Sequence, residues 1–347
     1  MIPVVDGHND ALLRIWRNGG SLLERDGGHL DVPRMREGGI VAGFFAMFVP
    51  AWDDEPADPR ASVVRTADGY VVPQEERLPV ARAVRIAAEL FAIAERELHI
   101  VRTVDELERC IAGDAVGAIL HLEGAEPIDR KLANLDEWVE RGLRSLGIVW
   151  SRHNAFGHGV PFRYPGTPDT GPGLTDAGRA LVRACNELGV LVDLAHATER
   201  TFFDTAELSS APLVVSHAGV HALCPVPRSL TDAQLDAIGS SGGLVGIVFD
   251  TAMTRADGKL APDTPLETIA AHVEHVAGRI GVDHVALGSD FDGCSPPASL
   301  SDASKMQALL DVLDWSDADL AKLAHENWLR VLRATWLPPS PATPARA

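Results

Sequence analysis

The chain is short of basic groups, of cysteine and of long apolar runs, and each shortage removes a class of function. Its 347 residues carry 31 Lys and Arg against 49 Asp and Glu, a formal net charge of -18. That balance argues against a nucleic acid or an anionic membrane surface held by basic patches. No uninterrupted apolar stretch is long enough to span a bilayer. Met1-Ile2-Pro3-Val4 runs straight into a strand pattern, without the basic start and apolar run of an export signal, so the expectation is a cytoplasmic protein with no membrane partner. The four cysteines, Cys110, Cys185, Cys224 and Cys294, are widely spaced with no C-x-x-C pair, which predicts neither a disulfide framework nor a zinc finger. Lysine is confined to positions 131, 259, 305 and 322.

What is present is ordinary globular material, 46% hydrophobic and 23% charged. Eight apolar runs bounded by turn signals recur at Val4–His8, Val41–Val49, Ala115–Glu123, Leu143–Trp150, Val190–His196, Leu213–His217, Leu244–Phe249 and His284–Asp290. Near-continuous hydrophobic strands alternating with helical segments predict a parallel sheet covered on both faces, and eight of them predict an α/β fold of the (β/α)8 TIM barrel type. Helices are predicted over Pro79–His99, over Leu174–Leu188 with Gly189 as the stop, and over Ser316–Trp336 with Ser316 as cap. Two long segments, Pro50–Pro79 and Phe156–Gly173, follow strand ends and should lie over the catalytic face. Residues 1–337 read as one domain, and 338–347, rich in proline, as a disordered tail.

In such a barrel the C-terminal ends of the strands converge on one mouth. The first run leads into His8-Asn9-Asp10, where residues two apart share a face. The third ends at Glu123, the fifth at His196, the sixth at His217 and the eighth at Ser289-Asp290. Each has an ordinary explanation taken alone: Asp10 or Glu123 as a helix cap, either histidine as a hydrogen-bonded core residue, Asp290 as turn chemistry. Five strand ends that each carry a metal-competent group are a different matter, because buried carboxylates are costly unless paired or metal-bound. The count suggests two ions: His8, Asp10 and Asp290 on one, His196 and His217 on the other, with Glu123 between them. Imidazole and carboxylate ligands without thiolate suit zinc, and manganese, cobalt or iron satisfy the same donors. No lysine ends a predicted strand, so a carboxylated lysine bridge is not expected.

Asp6-Gly7-His8-Asn9-Asp10, Leu122-Glu123-Gly124, Val215-Ser216-His217 and Gly288-Ser289-Asp290-Phe291-Asp292-Gly293, in this order and spacing, resemble the membrane (renal) dipeptidase family of the amidohydrolase superfamily. The resemblance runs from residue 4 to the helix ending at Trp336. It implies a binuclear zinc dipeptidase with the ligand set above, in which His153 contacts the scissile carbonyl, Arg228 binds the substrate's C-terminal carboxylate and Asp290 shuttles the proton. The physical reading agrees: two ions bring the pKa of a shared water toward neutrality, and Asp290 serves as base and then acid. His153 would supply a donor to the oxyanion, and Arg228 a planar fork for a carboxylate. On residues alone, without the resemblance, the preferred reading is a surface salt bridge for Arg228 and a loop hydrogen bond for His153.

The departures concern the substrate. Pro225-Val226-Pro227 stiffens the approach to Arg228, and Ser229 stands where relatives commonly have Asn. Asp250, after the seventh strand, would disfavour a nearby carboxylate and favour a cationic side chain. The resemblance implies a bacterial enzyme acting on dipeptides, often with a D-residue second. Another amidohydrolase acting on a lactone, an N-acyl amino acid or a β-lactam would use the same metals. Relatives are often homodimers, for which Trp52, Trp138, Trp315 and Trp336 offer apolar material, as they would for a core.

Overall fold

The structure is a computed structural model that describes residues 1–51, 64–67, 69–72 and 77–336. The predicted tail at 338–347 and Trp52 lie outside the described residues. Eight strands follow one another round a nearly closed parallel barrel: β1 (Val4–Asn9), β2 (Ile40–Ala46), β3 (Gly117–Glu123), β4 (Leu143–Gly147), β5 (Leu191–Asp193), β6 (Val214–Ala218), β7 (Leu244–Ile247) and β8 (Val285–Leu287). Every adjacent pair from β1 to β8 is parallel. The seam between β8 and β1 is bridged at the mouth, where Asp290 N–H donates to the His8 carbonyl at 2.9 Å and Asp10 N–H to the Phe291 carbonyl at 2.8 Å.

All eight expected strands are present, and most end a few residues earlier than their apolar runs, because the chain turns off the sheet into the mouth loops. Between them lie the outer helices. Val80–Glu97 buries Ala83, Ile86, Ala87, Leu90 and Ala94 at helical spacing. Asp176–Leu188 starts on the Thr175 side chain, which accepts from Gly178 N–H, and stops at Gly189 in the left-handed conformation. The predicted Ser316–Trp336 helix does begin on a Ser316 cap, but it is three pieces: Asp317–Ala321, a wide π-type turn Lys322–Glu326, and Asn327–Thr335.

The last piece plugs the barrel. Trp328 is fully buried, its ring 4.6 Å from Phe44, in one cluster with Val5, Ala42, Ile119, Leu191, Val214, Leu244 and Ala286 from seven strands. Gly7 follows from this: a Cβ there would stand 2.6 Å from the Trp328 ring and 2.7 Å from the Ser216 carbonyl oxygen. Alternation along β3 then sets the layers, since Ile119, His121 and Glu123 share one face. The interior is apolar at Ile119, polar at His121 and metal-competent at Glu123.

The long segment after β2 is not structureless. Val64–Thr66 and Gly69–Val71 form an antiparallel hairpin, and Gly69–Val71 also pairs with Arg163–Tyr164 from the segment after β4. Trp138 and Trp336 are buried, and Trp315 is half-buried with its indole N–H on Glu274 at 2.7 Å. All four cysteines are buried and free, as expected of reduced thiols.

Candidate metal centre

Six side chains from five strand ends meet at the mouth. His8, Asp10 and Asp290 offer ligand atoms all within 4.8 Å of one another, and so do His8, Glu123 and His217. His196 Nε2 stands 2.9 Å from Glu123 Oε1 and 3.2 Å from His217 Nε2. All six residues are buried. The structure thus brings together the whole expected ligand set, with His8 common to both groups.

Two of these residues pay in backbone conformation for their place. His196 has φ of 65° and Asp290 of 59°, in the left-handed region that side chains other than glycine avoid at a cost of about 1–3 kcal/mol. For Asp290 the conformation is imposed by neighbours: its N–H on the His8 carbonyl, Phe291 N–H on Ser289 Oγ, and Gly293 N–H on the Asp290 carbonyl. Gly293 leaves room for the carboxylates, since a Cβ there would lie 2.1 Å from Asp10 Oδ2 and 2.5 Å from Asp290 Oδ1.

Beneath the ligands a polar layer orients them. Asp193 accepts from Ser216 N–H at 2.8 Å, Ala195 N–H at 3.1 Å and Ser216 Oγ at 2.5 Å. Having given its proton to Asp193, the Ser216 hydroxyl can only accept from His217 Nδ1, 2.9 Å away. His217 Nε2 is therefore left as a lone pair facing the cluster. Ser151 Oγ holds His196 Nδ1 at 2.8 Å, and Asp6 accepts from Ser289 N–H and Oγ below Asp290.

The site's electrostatics call for a cation. Burial pushes Glu123 upward, and the nearby Asp10 and Asp290 push it the same way. Asp290 is raised to about 7, first by burial and then by Asp10 and Asp250, against the pull of His8. Burial would lower His8, yet Glu123, Asp10 and Asp290 outweigh it and hold His8 up to about 10. His196 and His217 are held well below the usual histidine range by burial, Arg228 and the neighbouring histidines. His196 and His217 are thus neutral imidazoles, and His8 is held protonated by the three carboxylates around it, positive charge that a divalent ion would replace. The donors fit such an ion on a second observation: both ring nitrogens of His8, and Asp10 Oδ1, are buried without a hydrogen-bond partner.

Arg228 is buried at the same mouth. One guanidinium nitrogen donates to the His217 carbonyl at 3.2 Å and Nε has no partner. Burial lowers its pKa, while Asp290 and Glu123 act to raise it. Asp250 follows β7, acts on both Arg228 and Asp290, and caps a short helix by accepting from Ala252 N–H at 2.8 Å. The sequence reading placed His153 at the scissile carbonyl. It is exposed in the loop after β4 with its ring 5.3 Å from His158, and among the described residues none of its contacts is with the ligand set. Ser151 and Arg152, which precede it, are buried. The ring that meets the site is Trp150, 5.7 Å from His196. Sequence reasoning also passed over Ser216 and Ser151, although each sits beside a motif residue.

The membrane dipeptidase (peptidase family M19) model matches residues 1–337. A crystal structure of the metallopeptidase dipeptidase AC, of family M19, is 42% identical with a TM-score of 0.91, covering 96% of this chain and 99% of that one. A metallopeptidase from Rhodobacter sphaeroides, liganded with a phosphinate mimic of the dipeptide L-Ala-D-Ala, is 40% identical with a TM-score of 0.88 and the same coverage. An uncharacterized Klebsiella pneumoniae protein from the pqqA 5′ region is 43% identical over 254 residues, 72% of this chain and 94% of that protein. On its barrel, its full-length family match and these relatives, the chain belongs to the membrane dipeptidase family, peptidase family M19, and is a metal-dependent dipeptidase of that type.

Proposed function

We propose that this dipeptidase works with two zinc ions bridged by Glu123, with His8, Asp10 and Asp290 toward one and His196 and His217 toward the other, and that its substrates include L-Xaa-D-Xaa dipeptides. The observation that carries the reading is the convergence of six buried donors on a space where the ring nitrogens of His8 have no other partner. The chemistry supplied by bound zinc is Lewis acidity: polarisation of the scissile carbonyl and acidification of a water. The chain's own residues do the rest. Asp290, on a rigid left-handed turn at the rim, takes the proton from the attacking water and returns it to the leaving amine. Arg228, whose Nε is unpartnered, receives the substrate carboxylate. Ser216 and Ser151 keep the two histidines aimed. The L,D preference is supported by the dipeptide mimic bound to the Rhodobacter sphaeroides relative. The test is metal analysis of zinc-reconstituted protein together with a screen of L,L and L,D dipeptides. Two zincs per chain and release of both amino acids are expected, and full occupancy without turnover of any dipeptide overturns the reading.

A further inference from the structure

Across the mouth from Arg228 stands a wall of different chemistry. His217 lies on β6, Arg228 and Asp250 lie in the segments after β6 and β7, and in a ring of eight strands β6 to β8 face β2 to β4. On that far side Phe48 follows β2 and Trp150 follows β4, with Leu13 from the helix after β1 in the same cluster and Phe162 packed against it. The Trp150 ring lies 5.0 Å from Phe48, 5.5 Å from Phe162 and 5.7 Å from His196, and the Phe162 ring meets His196 edge-on at 6.2 Å. Phe48 and Trp150 each keep 8–9% of their surface exposed, while the core cluster under them is almost wholly closed. Trp150 and Phe162 thus present apolar faces to a candidate zinc ligand, with Phe48 packed against Trp150.

The wall offers no free charge among the described residues. Arg152 lies behind it, fully buried, its guanidinium 5.2 Å from the Phe48 ring and 5.3 Å from the Trp150 ring. Its Nε donates to Glu126 at 2.7 Å and Nη2 to the Val49 carbonyl at 2.7 Å. The rings thus already serve one cation, whose charge Glu126 balances, so the pair offers a substrate no net charge. An anionic side chain would find Arg152 already paired with Glu126.

We propose that Phe48, Trp150 and Phe162 form the subsite for the substrate's N-terminal side chain and select aliphatic and aromatic residues over charged ones. The proposal rests on the dipeptidase reading with Arg228 as carboxylate receptor. With the carboxylate on Arg228 after β6 and the scissile carbonyl at the metal centre, the N-terminal residue extends away from β6, toward the ends of β2 and β4 where Phe48 and Trp150 stand. An apolar side chain there leaves water for aromatic surface, whereas a charged one loses hydration with no free counter-charge among the described residues in return.

The test compares kcat/KM of the zinc-loaded enzyme on L-Leu-D-Ala, L-Phe-D-Ala, L-Lys-D-Ala and L-Glu-D-Ala. The first two should exceed the last two by about tenfold to a hundredfold, mostly through KM. Trp150→Ala and, separately, Phe162→Ala should narrow that gap by weakening the apolar substrates. Phe162 is the more exposed of the two, so its variant keeps the test open if loss of Trp150 unfolds the protein. Calorimetric binding of phosphinate mimics of L-Leu-D-Ala and L-Glu-D-Ala reads the same ranking without turnover. Hydrolysis of all four substrates at similar kcat/KM, or a gap untouched by Phe162→Ala, overturns the subsite while leaving the dipeptidase reading intact. Hydrolysis of none overturns both.

Discussion

Replacing Ser216 by alanine is expected to loosen the metal centre without removing a ligand. In the native protein the Ser216 hydroxyl gives its proton to Asp193 at 2.5 Å and accepts from His217 Nδ1 at 2.9 Å. Alanine leaves Asp193 two backbone donors, Ser216 N–H and Ala195 N–H, so the carboxylate stays held. His217 loses its only fixed acceptor, in a position that is 1% exposed, where an orphaned donor costs about 1–3 kcal/mol. The ring can escape that cost by moving its proton to Nε2 or by turning, and either removes the lone pair aimed at the cluster. The expected consequence is a fall of about 10- to 100-fold in zinc affinity, equivalent to about 1.4–2.7 kcal/mol. Competition with a chromophoric chelator measures this directly, and the metal-free melting temperature of the variant reports any structural damage separately. Ser216→Thr, which keeps the hydroxyl, should retain most of the affinity. Zinc affinity within twofold of wild type in Ser216→Ala would refute the orientation argument.

Asp290→Asn should keep the fold and most of the metal, because His8 and Asp10 remain, yet abolish hydrolysis at neutral pH; near-native turnover in a steady-state assay would remove Asp290 from the proton path. Gly293→Ala should reduce bound zinc measured by elemental analysis, since its Cβ would occupy the space of Asp10 Oδ2 and Asp290 Oδ1; undiminished zinc content would show that the loop yields. His272, 1% exposed, accepts from Val220 N–H through Nδ1 and donates from Nε2 to the Thr254 carbonyl, and burial lowers it from 6.5 to about 4. Because the folded value is the depressed one, its contribution is complete above pH 6.5 and is lost as pH falls toward 4, by roughly 3 kcal/mol in all. His272→Gln can reproduce both hydrogen bonds without the titration, so its melting temperature should fall less steeply between pH 7 and pH 4; parallel curves would be the refuting result.

The barrel was legible because each strand is buried on both faces and so reads as an apolar run with no competing period. The candidate ligand positions were legible for the same reason: His196 and Asp290 interrupt apolar runs where polar groups need partners. The hairpin at Val64–Val71 was not, since its strands are three residues long and its first is wholly exposed, with no alternation to read. The exposure of His153 was hidden too. Trp150-Ser151-Arg152-His153 contains two polar side chains that go inward, and only their partners, His196 for Ser151 and Glu126 for Arg152, decide which residue of the loop faces the metals. Ser216 carries no sequence signal of its own; its role depends on Asp193, a residue from another strand.

The seam between β8 and β1 has a consequence for biosynthesis. The strand that begins the chain and the strand that ends the barrel are stitched at the mouth by Asp290, Phe291 and Asp10, and at the next layer down by Ser289 on Asp6. His8 and Asp10 therefore leave the ribosome long before the groups that complete their site. Until some 280 further residues have followed, the difference between positions 10 and 290, the first strand offers an unfinished pair of donors. Metal acquisition on this reading is a closing event: an ion shared by the two ends of the barrel fastens the ring, and a nascent chain cannot be loaded early.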